Sequence, residues 1–254
     1  MEVALDFSGR VALVTGGTKG IGRSIAARFA DAGATVVVCG RNEPEEELRE
    51  RVRFVACDVR DPEQVDAMVS GIAETDGRLD VVVNNAGGSP VAETATASAR
   101  FSESIIRLNL LAPLYVAQAV NRVMQQQDGG GSIVNIASVS GMRPTPNAAA
   151  YGAAKAGLLN LTQTLAVEWA PKVRVNAVTV GLVRTELAHL HYGDEDAIAA
   201  VGNTVPLGRM AEPVDVADAC LYLASPMAAY ISGANLLVHG GGERPAYLDA
   251  ASPT

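Results

Sequence analysis

Cysteine is scarce. Cys39, Cys57 and Cys220 are the only three in a chain of 254 residues, and no two share a C-x-x-C spacing. An odd, scattered set excludes a disulfide framework and predicts reduced thiols in the cytoplasm. No stretch of about eighteen apolar residues occurs, so no membrane span is expected. The opening residues, MEVALDFSGRVALVTGG, begin with an acid and lack a basic start before a long apolar core, so no signal peptide is expected either. Basic runs are also missing. With a net charge of −8 the chain has no phosphate-neutralising footprint, and nucleic acid is set aside as a partner. No internal repeat and no metal-ligand set is read from the sequence.

What is present is an alternation. Almost half the residues are apolar (48%), with few aromatics (4%), and Ala, Val and Gly suit helices packed closely on strands. Seven short β-branched runs stand out: VALVT (11–15), TVVVC (35–39), RFVAC (53–57), DVVVN (80–84), SIVNIAS (132–138), VRVNAVTV (173–180) and ANLLVHG (234–240). Helical spacing lies between them. Ile21, Ile25, Ala26 and Phe29 share one face before Gly33, and Asp61-Pro62 reads as an N-cap followed by N1 proline. Near-continuous apolar strands separated by helices predict a three-layer α/β domain with a doubly wound parallel sheet of about seven strands. Ligands then sit beyond the carboxyl ends of the strands. We expect one domain spanning 1–254, with a helical flap at about 182–209 and a polar tail at 243–254. The short RNEPEEELRERVRF segment leaves room only for a brief helix between the second and third strands.

Directly after the first strand, TGGTKGIG places Gly16, Gly20 and Gly22 at the opening of a helix. Glycines there permit a tight turn and bring backbone N–H groups at the helix N-terminus close to a pyrophosphate. A merely tight β–α turn is the competing reading. Two further motifs decide between them: NNAG at Asn84–Gly87, and Tyr151-x-x-x-Lys155 within YGAAK. In this order and at these distances the three resemble the short-chain dehydrogenase/reductase family, in its compact branch, over nearly the whole chain. The resemblance implies a Rossmann-type fold and an oxidoreductase that passes a hydride between a nicotinamide and a ketone or secondary alcohol, such as a 3-oxoacyl or other ketone substrate. It also implies that the dinucleotide lies against Gly16, Thr18, Lys19, Gly20 and Ile21, then Asp58 and Val59 near the adenine. Asn85, Ala86 and Gly87, followed by Val183 and Thr185, complete the cofactor set.

Cofactor choice is read at the end of the second strand, where an acid accepts from the ribose 2′-OH of NAD and a cation accommodates the 2′-phosphate of NADP. Gly40 stands where the acid is expected, followed by Arg41, and Lys19 brings a second cation. Arginine makes bidentate bonds to phosphate. NADP(H) is therefore favoured; Glu43 is close enough to pair with Arg41 or claim the ribose, which keeps NAD(H) open.

On a helix, Tyr151 and Lys155 project side by side. A free phenol, with a pKa near about 10, transfers protons poorly at neutral pH. A neighbouring ammonium and the positive nicotinamide should lower it toward a range useful for acid–base work, and Lys155 can hold the nicotinamide ribose. Ser138, at the end of the fifth strand, matches the family's spacing to Tyr151 and would polarise the substrate oxygen; Ser140 is the alternative. Asn109 lies four residues before Pro113, which frees its carbonyl for a water linking Lys155 to solvent, a relay the resemblance implies. A homotetramer is implied the same way. Two positions depart from the family: Val180-Gly181 replaces the usual Pro-Gly and loosens that wall, and His239 stands in VHGG. His189 and His191 fall in the flap. The rival readings are an NAD(H)-dependent alcohol dehydrogenase of the same fold and a protein that senses NADP(H) without turnover.

Overall fold

The seven apolar runs are strands. The structure, a computed structural model describing residues 5–45 and 47–243 apart from the His191 side chain, contains β1 (Val11–Thr15), β2 (Thr35–Gly40), β3 (Val52–Ala56) and β4 (Val81–Asn84). β5 (Gly131–Ser138), β6 (Val173–Val180) and β7 (Asn235–Val238) complete one sheet in the order β3-β2-β1-β4-β5-β6-β7, with every pair parallel. The order reverses between β1 and β4, the crevice at which open α/β sheets bind ligands.

Successive strand residues point to opposite faces, so each strand serves two cores. Ala12, Val14, Val36 and Val38 face α1 (Gly20–Asp31) and α8 (Pro213–Ala224), packing on Ile25, Phe29, Val216 and Leu221. Leu13, Val37, Val82 and Ile133 face the other layer, built from α2 (Pro62–Asp76), α4 (Ala112–Met124) and α5 (Ala149–Glu168). Phe29 is fully buried, so truncating it to alanine should cost about 3–5 kcal/mol. The chain is thus a single three-layer α/β domain with a doubly wound parallel sheet.

Local chemistry sets the helix ends. The Asp61 side chain accepts from Glu63 N at 3.0 Å and Pro62 occupies N1, while Gly77 closes α2 in the left-handed region at φ 71°. Another helical run begins with α3 (Ala99–Ile106), widens to a π-turn over Arg107–Leu111 and continues as α4. Pro113, at the start of α4, has no N–H to offer the preceding turn, and the backbone adapts by the wider bonding of Ala112 N to Arg107 O.

The brief helix expected between β2 and β3 is not found among the described residues 41–45 and 47–51, which form bends and turns. Pro44 biases Glu43 away from helical backbone, and the clustered glutamates repel one another. Between β6 and α8 the chain forms α6 (His189–Tyr192) and α7 (Glu195–Asn203), joined by a small core of Ala188, Ile198 and Met210. The expected polar tail falls largely on 244–254, outside the described residues. Among the described residues no helix is long and apolar enough to cross a membrane.

Candidate active site

The site begins where β1 stops. Gly16 turns the chain at φ 63°, and its N–H bonds Cys39 O at 2.8 Å. A Cβ on Gly22 would lie 2.2 Å from Gly16 O, so only glycine lets the first turn of α1 sit on this bend. The Thr15 hydroxyl accepts from Asn85 N and Ala86 N, both at 3.0 Å, and the Asn85 amide donates to Thr15 O at 2.9 Å and Gly16 O at 3.1 Å. The end of β4 is thereby tied to the glycine turn. Asn84 points the other way, into a buried chain: its amide donates to Asn135 Oδ1 at 2.9 Å, and the Asn135 amide donates to Thr162 Oγ1 on α5 at 2.9 Å. Its part is to tie strands and helix together.

That chain seats α5 against the carboxyl end of β5. Gly152 has to be small because a Cβ there would meet Ser140 O at 2.9 Å, and Gly141 because a Cβ would meet the Lys155 carbonyl carbon at 2.7 Å. The glycine in YGAAK thus accommodates the turn after β5. On this helix Tyr151 and Lys155 are neighbours, with Lys155 Nζ 5.7 Å from the phenol ring centroid. Lys155 is only 3% exposed and donates to Ile136 O at 2.8 Å. Ser138 accepts from Ser140 N at 3.2 Å and lines the same cleft as Tyr151, where its hydroxyl acts to lower the phenol. Ser140 belongs to the turn through its backbone.

Asn109 is fully buried behind the site. Its Oδ1 accepts from Gly88 N at 2.9 Å, and its amide donates to Gly88 O at 2.9 Å and Ile105 O at 3.0 Å. A Cβ on Gly87 would come within 2.8 Å of Asn109 Oδ1 and 3.3 Å of Lys155 Nζ. Asn109 thus clamps the loop after β4 against the lysine.

The electrostatics correct one expectation. Burial pushes the Tyr151 phenol above its usual range, the bond from Ser138 acts in the opposite direction, and Tyr192 adds to the rise. The phenol is raised rather than lowered because its own burial is the largest influence on it; the Lys155 ammonium donates to Ile136 O. Burial pulls Lys155 down to about 8.

A cleft of about 470 Å³ opens over these groups. Gly16, Lys19, Gly20 and Ile21 line one side, Asn85, Ala86 and Gly87 its floor, and Ser138, Tyr151 and Lys155 its far end. Val183 and Thr185 line the wall leading to the flap. Thr18, Arg41, Asp58 and Val59 are not brought into this cleft. Thr18 lies beside Gly40, Arg41 is exposed, and Val59 is buried in the core. The Asp58 carboxylate is held by Arg60 Nε at 2.9 Å and 3.1 Å, and Arg60 and Arg41 help keep it below the ordinary carboxylate range. Lys19 pairs with Glu45 at 2.7 Å.

Val180 stands at the end of β6, where the family usually carries proline. A valine keeps the N–H that proline lacks, and Val180 stays in register with both Ser138 and Val238. A Cβ on Gly181 would meet His239 Cβ at 2.8 Å, so His239 packs behind this wall. His189 Nδ1 lies 3.1 Å from Glu186 O and is exposed; the His191 side chain is outside the described residues. Glu186, Leu187 and Tyr192 also line the cleft; they fall within the expected flap but carried no individual sequence signal as site residues. The fold alone brings them over the cleft. Glu186 Oε1 accepts from Gly20 N at 2.9 Å, an anion already held by the helix N-terminus.

Known proteins resemble this chain in sequence and fold. Residues 16–243 match a family profile described as enoyl-(acyl carrier protein) reductase. D-threitol dehydrogenase of Mycolicibacterium smegmatis is 37% identical over 253 residues, covering 94% of this chain and 96% of that one. A 3-oxoacyl-(acyl-carrier-protein) reductase of Vibrio harveyi is 36% identical, covering 93% and 98%. Among solved structures, aldohexose dehydrogenase of Thermoplasma acidophilum superposes with a TM-score of 0.87 at 34% identity, covering 97% and 96%. With a parallel sheet of this order and relatives aligned from end to end, the chain belongs to the short-chain dehydrogenase/reductase family and is an oxidoreductase acting on alcohols and ketones.

Proposed function

We propose that the protein is an NADP(H)-dependent oxidoreductase that interconverts a ketone and a secondary alcohol, with Tyr151 as proton donor and acceptor. The observation carrying this reading is that Ser138, the Tyr151 phenol and the Lys155 ammonium line the same cleft as the glycine turn at the N-terminus of α1. The fit to a dinucleotide is supported by Gly20, whose N–H is presented at a helix N-terminus and already holds a carboxylate. Bound there, the nicotinamide supplies or receives the hydride.

The chain's own residues do the rest. Ser138 donates to the substrate oxygen as negative charge develops on it. Tyr151, raised by burial, is protonated across the neutral range and is thus in the state a donor to that oxygen requires. Lys155 stands beside Tyr151 and would hold the ribose hydroxyls of a bound nicotinamide nucleotide. Asn109 positions Lys155 and the loop at Gly87, and its neighbourhood is where a proton relay would run. Leu187 and Tyr192 from 182–209 cover the substrate end. Arg41, exposed and following Gly40, together with Lys19, favours the 2′-phosphate of NADP(H). The substrate is a small carbonyl or alcohol compound, the protein works in the cytoplasm, and it assembles as a homotetramer.

The test is an NADPH-oxidation screen over ketones, 3-oxoacyl thioesters, quinones and sugars, run with Tyr151→Phe alongside. Turnover by the wild type should fall by about 10²–10⁴ in the variant, while NADPH affinity changes less than about twofold. Equal turnover by the two proteins would refute the role of Tyr151. Tight NADPH binding with no turnover on any class would favour a sensor.

A further inference from the structure

The N-terminus of α1 is already engaged by the protein's own flap. Glu186 follows Thr185 on the strand-to-flap connection, and its Oε1 accepts from Gly20 N at 2.9 Å. Gly20 is the first residue of a twelve-residue helix, so its N–H lies where the helix dipole and unpaired donors favour an anion. A Cβ built on Gly20 would meet Glu186 Oε2 at 3.7 Å and Oε1 at 3.8 Å. The carboxylate therefore sits directly over the glycine turn rather than at its margin. Glu186 is exposed, so its side chain can swing into solvent without disturbing packing.

We propose that Glu186 is a latch that sets cofactor affinity: its carboxylate takes the position on α1 that a dinucleotide pyrophosphate requires, and binding proceeds only after it swings away. This inference rests on the dinucleotide reading of the cleft but not on the choice between NADP(H) and NAD(H). Two anions cannot share one N–H donor, and their mutual repulsion adds to the competition. The apparent affinity is the intrinsic affinity reduced by the fraction of molecules with the donor released. Since Glu186 lies between Thr185 and Leu187, both of which line the cleft, the latch also couples cofactor entry to the position of the flap over the substrate end.

Glu186→Gln keeps the shape and removes the charge, and its exposed position makes a folding defect improbable; a thermal melt checks this. Dissociation constants of NADPH, NADH, ADP-ribose and adenosine are measured by calorimetry for both proteins. The latch requires the three pyrophosphate-containing ligands to tighten together, by about three- to tenfold, and adenosine to be unaffected. Unchanged or weaker binding of those three, or equal tightening of adenosine, would overturn it while leaving the dehydrogenase reading intact. Failure of every dinucleotide to bind either folded protein would overturn both.

Discussion

Replacing Lys155 by methionine isolates the cost of burying an ammonium beside the phenol. The side chain is 3% exposed, and burial alone takes its pKa from 10.5 to about 8. That depression corresponds to ~3 kcal/mol. Its sign follows from which state holds the proton. Below about pH 8 both folded and unfolded chains are protonated, and the folded state bears the full desolvation cost. Between about 8 and 10.5 the folded protein releases its proton first and the cost is relieved, so the wild type gains stability as pH rises. Methionine fills a similar volume but removes the bond to Ile136 O, a loss of roughly 1–3 kcal/mol that is larger while the donor is the ammonium than once it is the neutral amine. At pH 7 the two effects nearly cancel, whereas near pH 10.5 the wild type should lead by the hydrogen-bond loss alone. Urea unfolding of both proteins across this range measures the difference, in which other titrating groups cancel. A gap constant to within about 0.5 kcal/mol would show that Lys155 does not titrate as a buried amine.

Two further outcomes follow from the charged groups. Arg41→Asp should weaken NADPH by about ten- to a hundredfold more than NADH, because only NADPH carries the phosphate that a guanidinium would fork; equal losses in paired titrations would refute the NADP preference. Burial pushes the Asp80 carboxyl up, but Arg78, the Val11 N–H and Arg10 outweigh it and hold it below its ordinary value. Its contribution is therefore present above about pH 4 and lost as pH falls through the folded value. Asp80→Asn should lower stability at pH 7 by about 1–3 kcal/mol and flatten acid unfolding, read by circular dichroism.

The strands, the layer count and the helix caps were legible because each depends on near neighbours. The continuous apolar run of Val11–Thr15 and the Asp61-Pro62 start are local patterns, and the structure keeps both. The Tyr151–Lys155 adjacency was legible too, since one helical turn fixes it. The β2–β3 segment misled because its length suggested a helix that Pro44 and the glutamates do not support. What only the tertiary structure decided concerns groups far apart in the chain. The phenol is raised, against expectation, because its burial among distant elements outweighs the lowering by Ser138. The demand for glycine at 152 comes from Ser140 O, and at 87 from Asn109 and Lys155. Glu186 reaches Gly20 across 166 positions of sequence. Local sequence fixes backbone periodicity and side-chain type, but desolvation and close approach depend on what other segments bring to the same point, and those the folded sheet alone assembles.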